Sequence, residues 1–130
     1  MVTHAEEQPE TITVDAWLTR ARALLDRVQP QDLAQEIADG AIVIDTRDSA
    51  NREAEGALSG SVTVTHNVLE RRMSPSSLTC LEGITADSRV IIVCNDGFSS
   101  SMAAAGLHDL GLPRATDLVG GYRAWRAATA

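Results

Sequence analysis

The chain contains no lysine, and all eleven of its basic residues are arginines. That absence removes Schiff-base chemistry, which needs a lysine amine. With abundant alanine it also points to a high-GC bacterial coding bias. Cysteine is scarce too. Two residues, Cys80 and Cys94, cannot build the disulfide framework of a small secreted scaffold, and a reducing cytoplasm suits a lone thiol. No apolar run approaches the ~18 residues that span a bilayer. The acidic, polar opening from Met1 to Glu10 is unlike the basic, then apolar, start of a signal peptide. His4, His66 and His108 have no partners at metal-ligand spacing, so no metal is expected. Eleven basic against eighteen acidic residues leave a net charge of -7, which disfavours nucleic acid and anionic membrane as partners. A length of 130 residues fits one domain with a core that needs no staples, and leaves no room for a second.

What is present centres on one stretch. The unbroken apolar run Val90 to Val93 reads as a strand buried on both faces, and it ends on Cys94. Cys94 to Ser99 then makes a short turn containing Gly97. The Ser/Ala/Leu-rich segment from Ser100 to near Gly111 reads as a helix opening on a serine cap. Amides of a tight turn and of a first helical turn point inward and favour negative charge, so a sulfur at the start of such a loop is drawn toward its thiolate. The plainer reading makes Cys94 a small buried hydrophobe at a strand end. The strand, glycine turn and helix start together favour a reactive cysteine, with Asn95, Asp96, Gly97, Phe98, Ser99 and Ser100 as its loop.

Elsewhere, residues 1–12 read as a flexible polar tail, and residues 13–130 as the folded domain. Trp17, Leu18, Ala21, Leu24, Leu25 and Val28 recur at helical spacing, which predicts an added amphipathic helix over about 15–28, capped by Thr13 or Asp15, with Trp17 in the core. A second helix is expected from Pro30 to the stop at Gly40. Ala41 to Asp45 reads as another wholly apolar strand ending in the charged link Asp45-Thr46-Arg47-Asp48. Residues 49–60 read as a polar connection, Val62 to Val64 as a short strand, Val68 to Met73 as a helical turn, and Ala115 to Val119 as a last strand before a Gly120-Gly121 turn and a terminal helix. Continuous apolar strands separated by helices predict an α/β fold with parallel strands covered on both faces, and its ligands at the strands' carboxyl ends.

Four segments in this order resemble a single rhodanese domain: Ile44-Asp45-Thr46-Arg47, Gly56-Ala57-Leu58-Ser59-Gly60-Ser61, the Cys94 to Ser99 loop, and Leu118-Val119-Gly120-Gly121-Tyr122-Arg123-Ala124-Trp125. The likeness covers about residues 30–127. It implies a five-stranded, mainly parallel sheet wrapped by helices, and sulfur transfer through a persulfide on Cys94. The implied partners are a small sulfur donor such as thiosulfate, a thiol acceptor and, as one option, a protein acceptor, in a cycle needing no metal or organic cofactor. Two departures bear on substrate. Family members that prefer thiosulfate usually carry a cation in the loop, whereas this loop has none and has one carboxylate, Asp96; Ala57 and Ser59 stand where His and Pro are often found.

Asp96 either opposes an anionic donor or serves the turn by taking backbone N–H bonds. Arg47 either holds an anionic substrate or pairs with Asp45, Asp48 or Glu55. Arg71 and Arg72 either supply the missing positive charge or form a solvated helical face. Nothing around Cys80 suggests activation, and Phe98 is open to two readings, partner contact or lid. Three functions follow: a sulfurtransferase, a persulfide carrier or sensor acting with a protein partner, and a cysteine-loop phosphatase or arsenate reductase. The last needs an arginine at the loop's end to grip an oxyanion, and Ser99 and Ser100 stand there.

Overall fold

The computed structural model describes residues 10–130. Strands β1 (Ile42–Asp45), β2 (Ser61–Thr63), β3 (Val90–Val93) and β4 (Thr116–Asp117) form an all-parallel sheet in the order β2-β1-β3-β4. Around it lie α1 (Val14–Arg22), α2 (Leu33–Ala38), α3 (Ser49–Glu55), α4 (Leu69–Met73), α5 (Ser99–Asp109) and α6 (Gly121–Thr129). None of these helices is long and apolar enough to cross a membrane.

The apolar runs explain the layering. Side chains alternate across a strand, so Val90 and Ile92 join Ile44, Leu69, Met73, Ala104 and Leu107 in one core. Ile91 and Val93 join Val43, Leu33, Leu58, Leu118 and Tyr122 in the other. All four β3 residues are fully buried, and each is stabilised by about 1.5–3 kcal/mol on leaving water.

The strand order positions the site. β1 runs through α3 to β2 on one side, while β3 pairs on the other side of β1 in register Asp45↔Val93. The chain thus reverses its direction of travel across the sheet between β1 and β3, and their carboxyl ends leave a crevice there. The segments leaving those ends are Thr46-Arg47-Asp48 and Cys94-Asn95.

Several expectations need correcting. Among the described residues the sheet has four strands rather than five: where a fifth would lie, Val28 alone bridges Leu118, because Pro30 has no N–H to extend the pairing. Helix α1 ends at Arg22, since Val28 is drawn to that sheet edge, donating to Asp117 O at 2.9 Å and accepting from Val119 N at 2.9 Å. Trp17 is 52% exposed rather than core, and the apolar spacing beyond Arg22 does not belong to one helical face. Residues 49–60 contain α3, capped by Asp48, whose side chain accepts from Asn51 N at 2.8 Å. The Pro30 helix starts as one 3₁₀ turn and continues as α2, and the expected Thr13 cap is present, accepting from Ala16 N at 3.0 Å. Of the predicted tail, residues 1–9 lie outside the described residues, as does His4; Glu10 to Ile12 are exposed and without regular structure.

Candidate active site

Cys94 leaves β3 directly into a loop that turns at Gly97, where φ is +87°. Only glycine enters that region without strain. The Gly97 N–H donates to Cys94 Sγ at 3.2 Å. Helix α5 follows at once, with Phe98 at its N-cap position and no side-chain cap. The expected serine cap is therefore absent: Ser100 and Ser101 turn inward to Asp117, and the first amides of an eleven-residue helix keep their positive field on the loop side.

The loop rests on a backbone platform. Tyr122 N donates to Cys94 O at 2.8 Å and Arg123 N to Asn95 O at 3.1 Å, so the start of α6 hydrogen-bonds the loop's first two carbonyls. Gly121 makes this approach feasible. A methyl group on it would lie 2.6 Å from Cys94 O and 2.7 Å from Gly97 N. The glycine pair is a contact surface as well as a turn.

Cys94 is buried, yet it lines an open cleft of about 400 Å³ with Thr46, Arg47, Asp48, Thr65, His66, Asn67, Asn95 and Ser99. A second hollow of about 440 Å³, lined by Asp26, Glu36, Arg89, His108 and Arg114 among others, holds no thiol or hydroxyl side chain, and its Arg89 is paired to Asp26 and Glu36. Among the described residues no group of three His, Cys, Asp or Glu side chains is placed to hold a metal ion.

The expected site residues separate into two sets. Cys94, Asn95 and Ser99 line the cleft, and Gly97 lies behind them. Asp96 is exposed and outside that lining, and its carboxylate accepts from Phe98 N at 3.4 Å, a weak turn contact. Phe98 is 53% exposed. Arg47 lines the cleft, and most of its guanidinium is engaged in structure, with Nη1 left without a partner. Its side chain is fully buried, bidentate on Asp45 at 3.0 and 2.8 Å, bonded to Gly56 O at 2.9 Å, and stacked 3.7 Å from the Tyr122 ring centre. Arg71 and Arg72 lie on α4 outside the cleft, and Arg72 is spent on Thr79 O. Cys80 is half-buried against the core, its thiol on Leu81 O at 3.5 Å.

Sequence reasoning missed the residues that hold the loop from outside. Asp117, fully buried, accepts from Ser100 Oγ at 2.8 Å, Ser101 Oγ at 2.7 Å and Arg27 Nε at 2.8 Å. Arg22 and Arg27 both donate to Gly97 O. On the exposed side, Arg123 pairs with Glu55 at 2.9 Å. Its guanidinium is held above its ordinary range, first by hydrogen bonding to Glu55, then by that carboxylate's charge and less by Asp96. The carboxylate ending β4 and the adjacent glycines were readable signals; the arginines lie about seventy residues away along the chain and gave none.

Comparison with known proteins agrees with this geometry. The family model for the rhodanese-like domain matches residues 29–128. The thiosulfate sulfurtransferase GlpE of Ectopseudomonas mendocina is 33% identical over 101 residues, 78% of this chain and 84% of that protein. A structure from Rhodopseudomonas palustris, a protein of unknown function described as a possible tyrosine phosphatase, superposes with a TM-score of 0.81 at 28% identity, covering 95% of this chain and 97% of the other. The human single-domain sulfurtransferase TSTD1 shares the fold with a TM-score of 0.64 at 24% identity, over 78% of this chain and 95% of its own. A match this extensive, carried by a sheet whose crevice opens on a looped cysteine, means that the chain belongs to the rhodanese-like domain family.

Proposed function

We propose that this rhodanese-like enzyme moves sulfane sulfur from thiosulfate or another persulfide donor to a thiophilic acceptor, carrying it as a persulfide on Cys94. One observation supports the reading most. The cysteine stands at the reversal point of a parallel sheet, in an open cleft, with the Gly97 N–H 3.2 Å from its sulfur.

The cycle follows from that placement. The Cys94 thiolate attacks the outer sulfur of thiosulfate; a new S–S bond forms, the old one breaks, and sulfite departs with the bonding electrons. The terminal sulfur left on Cys94 is anionic, and amides at the loop and the start of α5 stabilise it as an oxyanion hole stabilises developing charge. A thiolate acceptor, or cyanide in the test tube, then attacks that sulfur and restores the Cys94 thiolate. Two substitutions at sulfur balance the cycle, with no external oxidant or reductant.

Residues 13–130 act as one domain in this reading, in the reducing cytoplasm that suits two free thiols. A slower persulfide carrier acting on a protein acceptor is the second reading, favoured by the cation-free loop and by Phe98 standing exposed beside it. Phosphate-ester hydrolysis fits the site less well. The loop has no guanidinium, and within the loop Arg22 and Arg27 touch the carbonyl of Gly97 rather than the sulfur's side. A survey of sulfane donors by intact mass and rate separates enzyme from carrier: rapid loading from small donors supports the transferase, and loading only from a protein persulfide supports the carrier.

A further inference from the structure

We infer that Arg22 is a positioning residue for the cysteine loop, supplied by a segment that precedes the rhodanese-like region. The inference rests on the reading of Cys94 as the sulfur carrier.

Gly97 is the pivot. Its N–H faces Cys94 Sγ, and its C=O faces away toward α1. That carbonyl accepts from Arg22 Nη2 at 2.9 Å and from Arg27 Nη2 at 3.3 Å, while the single hydroxyl proton of Ser101 goes to Asp117 at 2.7 Å. Two guanidinium donors on one oxygen orient the Gly97–Phe98 peptide, which adjoins the peptide whose N–H, at a Gly97 φ of +87°, faces the sulfur. Arg22 also donates through Nε to Ser101 Oγ at 3.0 Å, and its guanidinium lies 5.6 Å from the Phe98 ring centre. One planar fork thus spans the loop, the first turn of α5 and the aromatic side chain between them.

The two arginines differ in charge. Arg27 is neutralised by Asp117 at 2.8 Å. No carboxylate pairs with Arg22 among the described residues, so its charge acts on the loop through the Gly97 carbonyl. This offers a physical answer to a loop that carries Asp96 and no cation of its own: the positive charge stands behind the loop. Both arginines precede residue 29, where the family match begins. The helix α1 that carries Arg22 is therefore more than a cover for α5.

The test compares the full chain with Arg22→Gln, Arg22→Lys and, as a control on the same helix, the exposed Arg20→Gln. Two rates are read: alkylation of Cys94 by neutral iodoacetamide, and sulfur loading from thiosulfate at varied concentration. Arg22→Gln is expected to slow both by about tenfold, with the half-saturating thiosulfate concentration moved less than about twofold. Arg22→Lys, which keeps the charge and loses the fork, should fall between wild type and Gln. Arg20→Gln should match wild type. Alkylation by Arg22→Gln that equals or exceeds the wild-type rate overturns the inference, as does a Lys variant no better than Gln. If Arg22→Gln fails to fold, the decision passes to Arg22→Lys, whose rates must lie below wild type for the inference to stand. Should the wild type load no sulfur from any donor, the sulfur-carrier reading fails, and the alkylation rates still decide whether Arg22 positions the loop.

Discussion

Replacing Gly121 with alanine tests whether the cysteine loop is held by backbone contact with α6. The residue has φ +64°, and an added Cβ would meet Cys94 O at 2.6 Å, Gly97 N at 2.7 Å and Asn95 C at 2.8 Å. All three are backbone atoms of the loop, so no flexible side chain can yield. The left-handed conformation alone costs about 1–2 kcal/mol for a residue with a Cβ. Relieving the clash separates α6 from the loop and breaks the bonds from Tyr122 N to Cys94 O and from Arg123 N to Asn95 O, each worth about 1 kcal/mol. The total is about 3–4 kcal/mol. Gly40 provides the comparison: its φ is +101°, and nothing lies within 4 Å of an added Cβ. Gly40→Ala should therefore cost only the conformational part, about 1–2 kcal/mol. Urea unfolding of both variants gives the difference, and the sulfur-loading rate of each reports the loop. Gly121→Ala should be the less stable by about 2 kcal/mol and should load sulfur slowly. Equal stabilities, or rapid loading by Gly121→Ala, would refute the platform.

Two further outcomes follow from charges near the loop. Asp96→Arg should lower the KM for thiosulfate by about two- to threefold, an effect that fades as salt is raised because the side chain is exposed; an unchanged KM would place the carboxylate's field away from the donor. The Glu55 carboxyl is held below its ordinary value of 4.5, chiefly by its hydrogen bond from Arg123. Its folded-state value lies below the unfolded one, so its contribution is present above pH 4.5 and is lost as pH falls through the lowered value. Glu55→Gln should thus be less stable than wild type at neutral pH and equal to it in acid, and a gap that persists in acid would contradict the pairing.

Legibility tracked how locally each feature is encoded. The runs Val90 to Val93 and Ile42 to Ile44 declare buried parallel strands because both faces are apolar, and the cysteine at the end of one run, followed by Gly97, marks the site proposed above. Helix α3 was hidden because Ser49 to Glu55 has no apolar side chain larger than alanine and buries no residue; its cap, Asp48, was the local mark of it. The end of α1 was misread because Leu24, Leu25 and Val28 continue the helical spacing for separate reasons. Leu24 is exposed, Leu25 packs on one core, and Val28 joins the sheet edge and the other core. The roles of Arg22, Arg27 and Asp117 exist only once α1 and the end of β4 are folded against the loop. For Arg47 the sequence offered two fates; the ion pair with Asp45 is present beside Tyr122, and the residue also lines the cleft.

The central claim is that one particular sulfur, Cys94 Sγ, receives and holds the transferred atom. The most direct measurement is the intact mass of the protein after incubation with thiosulfate, made on wild type, Cys94→Ser and Cys80→Ser. Wild type and Cys80→Ser should each gain one sulfur, released by cyanide, and Cys94→Ser should gain none. A gain that survives in Cys94→Ser, or no gain by the wild type with any sulfane donor, would contradict it.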